Sequence, residues 1–316
     1  MAASNSTGDI THDFPGFFKV YKDGRIERYW DTDYVPPGED SETGVKSKDV
    51  VISPESGVKA RIFLPEISSN TTNTKSSSEV HKLSLVVHYH GGGFCIGSPF
   101  ASAFHVFLAA LATQANAIVI SIDYRLAPEH LLPIAYEDSM AGLQWVAKHS
   151  NGQGPEPWLN QYADLGRVTL AGESAGANLA HYAAVQAGAT GLAGLKITRL
   201  LIVHPYFGTK EPDVFYKYMC PTSSGADDDP KLNPGADPNL LKLKCDKVLV
   251  CVAEKDRLKG RGVSYYEAMK KCGWGGSVDF YETKGEDHCF HFFKPTSENI
   301  APLMKRMIDF IVQTGN

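Results

Sequence analysis

The chain has 316 residues, 43% of them hydrophobic, enough to bury a sizeable core near the upper size of one domain. A formal net charge of −5 with no Lys/Arg-rich run leaves no basic face to follow a phosphate backbone, which argues against a nucleic-acid partner. No apolar stretch is long enough to span a bilayer, the polar start at 1–11 lacks the pattern of a secretory signal, and six scattered cysteines (Cys95, Cys220, Cys245, Cys251, Cys272, Cys289) without a CxxC pair suit reduced thiols, so a cytoplasmic protein is expected.

In chain order, Phe17-Phe18-Lys19-Val20-Tyr21 and the stretch 26–30 read as two short extended pieces about an Asp23-Gly24 turn. A segment this aromatic beside a polar tail predicts packing over something apolar, and residues 1–45 are expected to contribute to a cap. Strands are predicted over 58–64 and 83–89, and the polar stretch 66–80 between them reads as a mobile loop joining neighbouring strands.

From there the rhythm alternates: helix 102–114, strand 117–122, helix 134–149, strand 168–170, helix 175–187, strand 200–203. Residues 206–244 are rich in Pro, Gly and Asp with little periodicity, which predicts a functional or lid-like insertion. Strand 248–252, helix 262–271, strand 277–281 and helix 300–312 follow. The alternation predicts an α/β fold, a mostly parallel doubly wound sheet in one domain over 1–316.

Gly172-Glu173-Ser174-Ala175-Gly176 lies between an apolar strand and a helical run, the context a nucleophile elbow requires. The turn is tight enough that side chains two residues either side of the serine would collide with their neighbours, so both positions need glycine. The helix that follows points free N–H groups and its positive dipole end at the serine. A serine at a helix start can also be a simple cap, and the context decides between the two.

His90-Gly91-Gly92-Gly93-Phe94 directly follows an earlier strand, where bare backbone N–H groups can approach a substrate carbonyl oxygen. Gly92 and Gly93, with Ala175, are the candidate oxyanion donors. His88 and His90 could share a strand face as part of a zinc site, but no third ligand stands at a recognisable spacing, and His90 reads better as a brace for the glycine loop.

A serine hydroxyl is a poor nucleophile until an imidazole accepts its proton, and the imidazole needs an orienting acid. Asp256, at the carboxyl end of the strand 248–252, is the candidate acid, with Glu254 and Asp287 as competitors. His288, in the loop after the next strand, is the candidate base, with His291 as its competitor. Phe94, Cys95, Phe207 and Phe290 flank these motifs and are candidate apolar walls of a substrate pocket, equally readable as core; Tyr124 and Asn178 are further candidates for lining it.

The motifs His90-Gly91-Gly92-Gly93, Asp123-Tyr124-Arg125-Leu126-Ala127-Pro128-Glu129-His130 and Gly172-Glu173-Ser174-Ala175-Gly176 together resemble the hormone-sensitive-lipase group of α/β-hydrolases. The opening, Phe18 to Arg28 with Tyr34-Val35-Pro36-Pro37, is similar to the plant carboxylesterase branch of that group, and the likeness runs over nearly the whole chain. The resemblance implies an α/β-hydrolase fold with a small N-terminal and inserted cap, a Ser-His-Asp triad, an oxyanion hole, small-molecule ester substrates, no organic cofactor and no metal. It also brings non-hydrolytic relatives into view: 2-hydroxyisoflavanone dehydratases and hormone receptors that have lost the histidine. This sequence keeps Ser174, His288 and all three glycines, which favours ester hydrolysis over a lyase or a receptor. A departure is Gly260, where the family's acid loop often carries a second aspartate. Monomer and homodimer both stay open.

Overall fold

The computed structural model describes residues 9–30, 33–67 and 82–313, so most of the stretch read as a mobile loop, 68–80, lies outside the described residues. Three short strands, β1 (Ile10–Phe14), β2 (Phe18–Tyr21) and β3 (Ile26–Arg28), form a small antiparallel sheet around the expected Asp-Gly turn. The main sheet has eight strands: β4 (Lys46–Ser53), β5 (Val58–Leu64), β6 (Leu83–Tyr89), β7 (Ile118–Asp123), β8 (Ala163–Glu173), β9 (Ile197–Val203), β10 (Lys247–Ala253) and β11 (Ser277–Thr283). The helices are α1 (Ser102–Ala115), α2 (Ile134–Ala147), α3 (Pro157–Tyr162), α4 (Ala175–Thr190), α5 (Val214–Met219), α6 (Lys259–Lys271), α7 (Phe290–Phe293) and α8 (Ile300–Val312).

The main sheet runs β4-β5-β7-β6-β8-β9-β10-β11, parallel from β7 to β11, with β5 antiparallel to β7 and β4 antiparallel to β5. One expectation is thereby corrected: β5 and β6 are not neighbours, because β7 lies between them. The long connection between β5 and β6 imposes no adjacency, whereas a short hairpin would have done so.

Alternate residues of the central strands serve opposite faces, and both faces are apolar, as helices on both sides demand. In β10, Val248, Val250 and Val252 join one buried cluster with α2, α4 and α6, while Leu249, Cys251 and Ala253 join another with α1 and α8. Helix α8 faces that second cluster with Leu303, Met304, Met307, Phe310 and Ile311, the spacing of one helical stripe. Helix α4 is buried nearly all round by small side chains, which lets it lie close against the sheet under the serine.

The small N-terminal sheet and α5, which arises inside the 206–244 insertion, pack on each other through rings. Phe17 meets Phe215 at 4.4 Å between centroids, Phe14 meets Phe215 at 5.3 Å, and Phe14 meets Tyr218 at 4.9 Å. Arg28 fastens the same sheet to the body: its guanidinium donates to both carboxylate oxygens of Glu129 at 2.7 and 2.6 Å, and to the carbonyls of Cys95 and Ala127. A bidentate fork of this kind fixes orientation as well as distance.

Candidate active site

Strands β6, β8, β10 and β11 run parallel, so their carboxyl ends lie along one edge of the sheet, where such folds gather their ligands. Ser174 leaves the end of β8 with φ 55° and ψ −117°, a strained backbone for a residue with a side chain. Its flanking glycines have no room for more: a Cβ on Gly176 would lie 1.9 Å from the Tyr89 carbonyl oxygen, and one on Gly172 would lie 2.3 Å from the Gly176 carbonyl oxygen. The Ser174 N–H donates to the Val203 carbonyl and its own carbonyl accepts from Tyr206, which pins the turn to the segment after β9.

His288 reaches this serine. Its Nε2 stands 3.0 Å from Ser174 Oγ and its Nδ1 stands 2.7 Å from Asp256 Oδ2. Asp256 is buried, and its second oxygen accepts the Leu258 N–H at 2.7 Å, so the carboxylate is held by two partners at once. The competing acids are engaged elsewhere. Glu254 accepts the Gly285 N–H and faces Lys284, and Asp287 accepts the backbone N–H of His288. The competing histidine, His291, is buried among the rings of Phe107, Phe292 and His204.

Burial disfavours the charged form of His288, but the contacts with the Cys289 sulfur and with Asp256 outweigh it, so the ring's pKa is raised above the ordinary imidazole value. Burial also raises the Cys289 thiol and keeps it neutral, which leaves the Asp256 carboxylate as the charge that matters at neutral pH.

The glycine loop meets the serine as its position after β6 predicts. Gly91, Gly92, Gly93, Ser174 and His288 all line one cavity of about 400 Å³. Gly92 adopts φ 116°, and a Cβ there would run into the Ile96 carbonyl oxygen at 2.0 Å. Among the described residues, the N–H groups of Gly92 and Gly93 have no acceptor, and the Ala175 N–H opens α4, where no intrahelical acceptor exists. Behind the loop, the His90 ring stacks on Tyr124 at 4.2 Å, its Nδ1 lies 2.7 Å from the Gly91 carbonyl, and the Tyr124 hydroxyl donates to the His90 carbonyl.

His88 takes part in a different buried group that the sequence did not suggest. Its two nitrogens lie 2.8 Å from Ser121 Oγ and 2.8 Å from Glu173 Oε2, so the residue before Ser174 is tied through an imidazole to β7. With both nitrogens occupied, His88 has none left for a metal. His204, His288 and Cys289 offer ligand atoms within 4.8 Å of one another, but an ion there would have to displace the contact of His288 with Ser174 or Asp256.

The residues expected to line a substrate pocket are placed elsewhere. Phe94 packs among Tyr136, Tyr206 and Tyr216, Cys95 is buried, Phe207 stacks on Tyr265, and Phe290 sits in the core beside α1 and α8. Tyr124 braces His90, and Asn178 donates to the carbonyls of Tyr206 and Lys231 while accepting from Tyr136. Their side chains point into the core, to neighbouring side chains or to backbone carbonyls. The cavity wall is instead made by Phe17, Trp30, Phe104, Phe215, Phe292 and Phe293, from the N-terminal segment, the first turn of α1, the insertion and the segment after His288. The aromatic run at 17–30 was the one legible signal for them.

Residues 86–292 match the family described as alpha/beta hydrolase fold. The chain is 42% identical to 2-hydroxyisoflavanone dehydratase of Glycyrrhiza echinata, over 99% of this chain and all of that one. It is 40% identical to the Arabidopsis thaliana protein named "Probable carboxylesterase 4, mitochondrial", over 98% of this chain and 85% of that one. Among solved structures, an esterase of Pyrobaculum calidifontis is similar with a TM-score of 0.66 and 27% identity, over 84% of each chain.

Proposed function

Because the chain belongs to the α/β-hydrolase family, in its plant carboxylesterase branch, we propose that it is a serine carboxylesterase that hydrolyses small-molecule carboxylic esters. Ser174 Oγ attacks the ester carbonyl as His288 Nε2 takes its proton. The N–H groups of Gly92, Gly93 and Ala175 hold the oxyanion, and His288 returns the proton to the departing alcohol. Water then attacks the acyl-enzyme, again with His288 as base, and releases the acid. Asp256 fixes the ring's orientation and stabilises it when charged. Loss of one oxyanion donor costs roughly 3 kcal/mol of transition-state stabilisation. Residues 1–45 and the 206–244 insertion act in this reading as a cap over a single domain, and the protein works in the cytoplasm.

The observation that carries the reading is the row Asp256–His288–Ser174, with contacts of 2.7 and 3.0 Å, opening on a largely aromatic cavity beside free N–H groups. Turnover of 4-nitrophenyl butyrate by wild type, Ser174→Ala and His288→Ala tests it. Each substitution is expected to cut kcat by roughly a thousandfold or more, with fluorophosphonate labelling lost in the first. Equal rates in all three overturn the assignment. The identity to a dehydratase favours a second reading, in which the same base removes a proton beside a carbonyl and the same N–H groups hold the enolate while water leaves. An unsaturated product without release of an acid, from that enzyme's type of substrate, would select it.

A further inference from the structure

Beside the cavity at Ser174 lies a second one of about 440 Å³, and the two share the wall formed by Phe17, Tyr206, Phe215, Arg257 and Leu258. Four charged side chains besides the imidazole face this pair: Asp33, Asp213, Arg257 and Arg261. Three are spent. Asp33 accepts the Ser102 N–H at the start of α1. Asp213 caps α5 through the Tyr216 N–H and pairs with Arg261 at 2.9 Å, and Arg261 also donates to the Phe207 carbonyl. Arg257 alone has neither an ion pair nor a hydrogen bond among the described residues, although it follows the orienting Asp256 directly. Tyr206 on the same wall is 7% exposed, and its hydroxyl has no hydrogen-bond partner among the described residues.

A guanidinium is a planar fork suited to a carboxylate, and Arg257, exposed and without a counter-charge among the described residues where the apolar cavity at Ser174 meets the second one, selects an anion there. Resting on the esterase reading, we propose that the preferred substrates are amphipathic: an ester whose apolar body fills the cavity at Ser174 and whose carboxylate, on the acyl or the alcohol side, is held by Arg257.

Two matched pairs test this: mono-4-nitrophenyl suberate against its methyl ester, and 3-carboxyphenyl butyrate against its methyl ester. The ratio of kcat/KM, anionic over neutral, is read in wild type, Arg257→Ala, Arg257→Lys and Arg257→Glu. In at least one pair the ratio is expected to fall about tenfold in Arg257→Ala, to survive in part in Arg257→Lys and to fall further in Arg257→Glu. The exposed neighbour Lys255, which lines neither cavity, leaves the ratio unchanged when replaced by alanine. If no pair's ratio moves with Arg257, the anion site does not exist. Calorimetry with 6-phenylhexanoate and its amide separates this failure from a failure of the esterase reading, since it needs no turnover. A preference for the acid in wild type that is lost in Arg257→Ala sustains the site even without hydrolysis, and equal binding of acid and amide in wild type overturns it.

Discussion

In the proposed reaction, proton transfer at Ser174 fixes the pH dependence. His288 can accept the serine proton only as a neutral ring, and Asp256 raises the pH at which that neutral form appears. The expected kcat/KM therefore rises with pH, with its acid limb above the ordinary imidazole value of 6.5. The stability linkage has the opposite sense: a raised folded pKa adds stability that is complete below 6.5 and fades as pH climbs through the folded value. Asp256→Asn removes the charge and should lower kcat by roughly ten-thousandfold while moving the residual limb to lower pH. A limb that stays where the wild type has it would dissociate Asp256 from the proton transfer. The meeting of Ser174, Asp256 and His288 was legible because chain order and strand ends restrict where each partner can stand. The pocket residues were not, because proximity to a motif says nothing about which way a side chain points: Phe94 and Phe290 turn into the core one or two residues from the site.

Among the elements, the N-terminal sheet contributes aromatic wall but has little core of its own, so its attachment is concentrated in the Phe14–Phe17–Phe215 rings and in Arg28. Arg28 satisfies two backbone carbonyls besides Glu129, and hydrogen bonds to charged donors contribute about 1.5–3 kcal/mol each when shielded from water. Part of Arg28 and more of Glu129 are exposed, so the lower end applies to the pair. Arg28→Ala should thus loosen residues 9–30, seen as faster limited proteolysis there and as a KM that rises more than kcat falls. Arg28→Lys should rescue little, because one ammonium cannot reach a carboxylate and two carbonyls in the fork's geometry. Unchanged proteolysis in Arg28→Ala would show that the rings alone hold the sheet. Both partners lie in motifs visible in the sequence, Phe18 to Arg28 and Asp123 to His130, yet their meeting across 101 residues has no local signal. The same limit hid β4, whose Lys46-Ser47-Lys48-Asp49 start is polar because it borders the sheet, and α5, a single turn and a half inside the Pro- and Gly-rich insertion. Helix α8 was legible to the residue, since a buried stripe recurs over several turns, while α4 runs three residues past its expected end and α6 starts three residues before its expected start.

Across the whole molecule, the sheet's demand for burial on both faces extends to its histidines. Burial holds His90, His181 and His291 neutral with pKa values of about 3, and it lowers His204 well below the ordinary value. Each depressed group contributes stability that is present above pH 6.5 and is lost as pH falls towards its folded value, because the unfolded chain binds the proton first. The slope is at most about 1.4 kcal/mol per pH unit for each ring. Burial lowers His105 and His149 in the same sense, and the stability from His288 is complete below pH 6.5 and adds no slope in that range. The carboxylate of Glu286, held near 2 by hydrogen bonds from Asn299 and Ser297 and by Lys294, adds to the loss only below the ordinary carboxylate range. The stability of the fold should accordingly fall between pH 6.5 and 4.5, opposed in part by Asp123, whose carboxyl burial pushes up to about 6 so that the folded chain takes up that proton first. Urea unfolding at pH 7.5 and 5.0 reads this directly. His181, on α4 beside Tyr265 and outside the reacting row, allows a test by substitution: His181→Gln removes one titrating ring, so the difference between the two pH values should shrink by that ring's share of the slope. A wild-type midpoint that does not change between those pH values would mean that the buried imidazoles are as hard to protonate unfolded as folded, and the acid sensitivity would then have to come from the carboxylates alone.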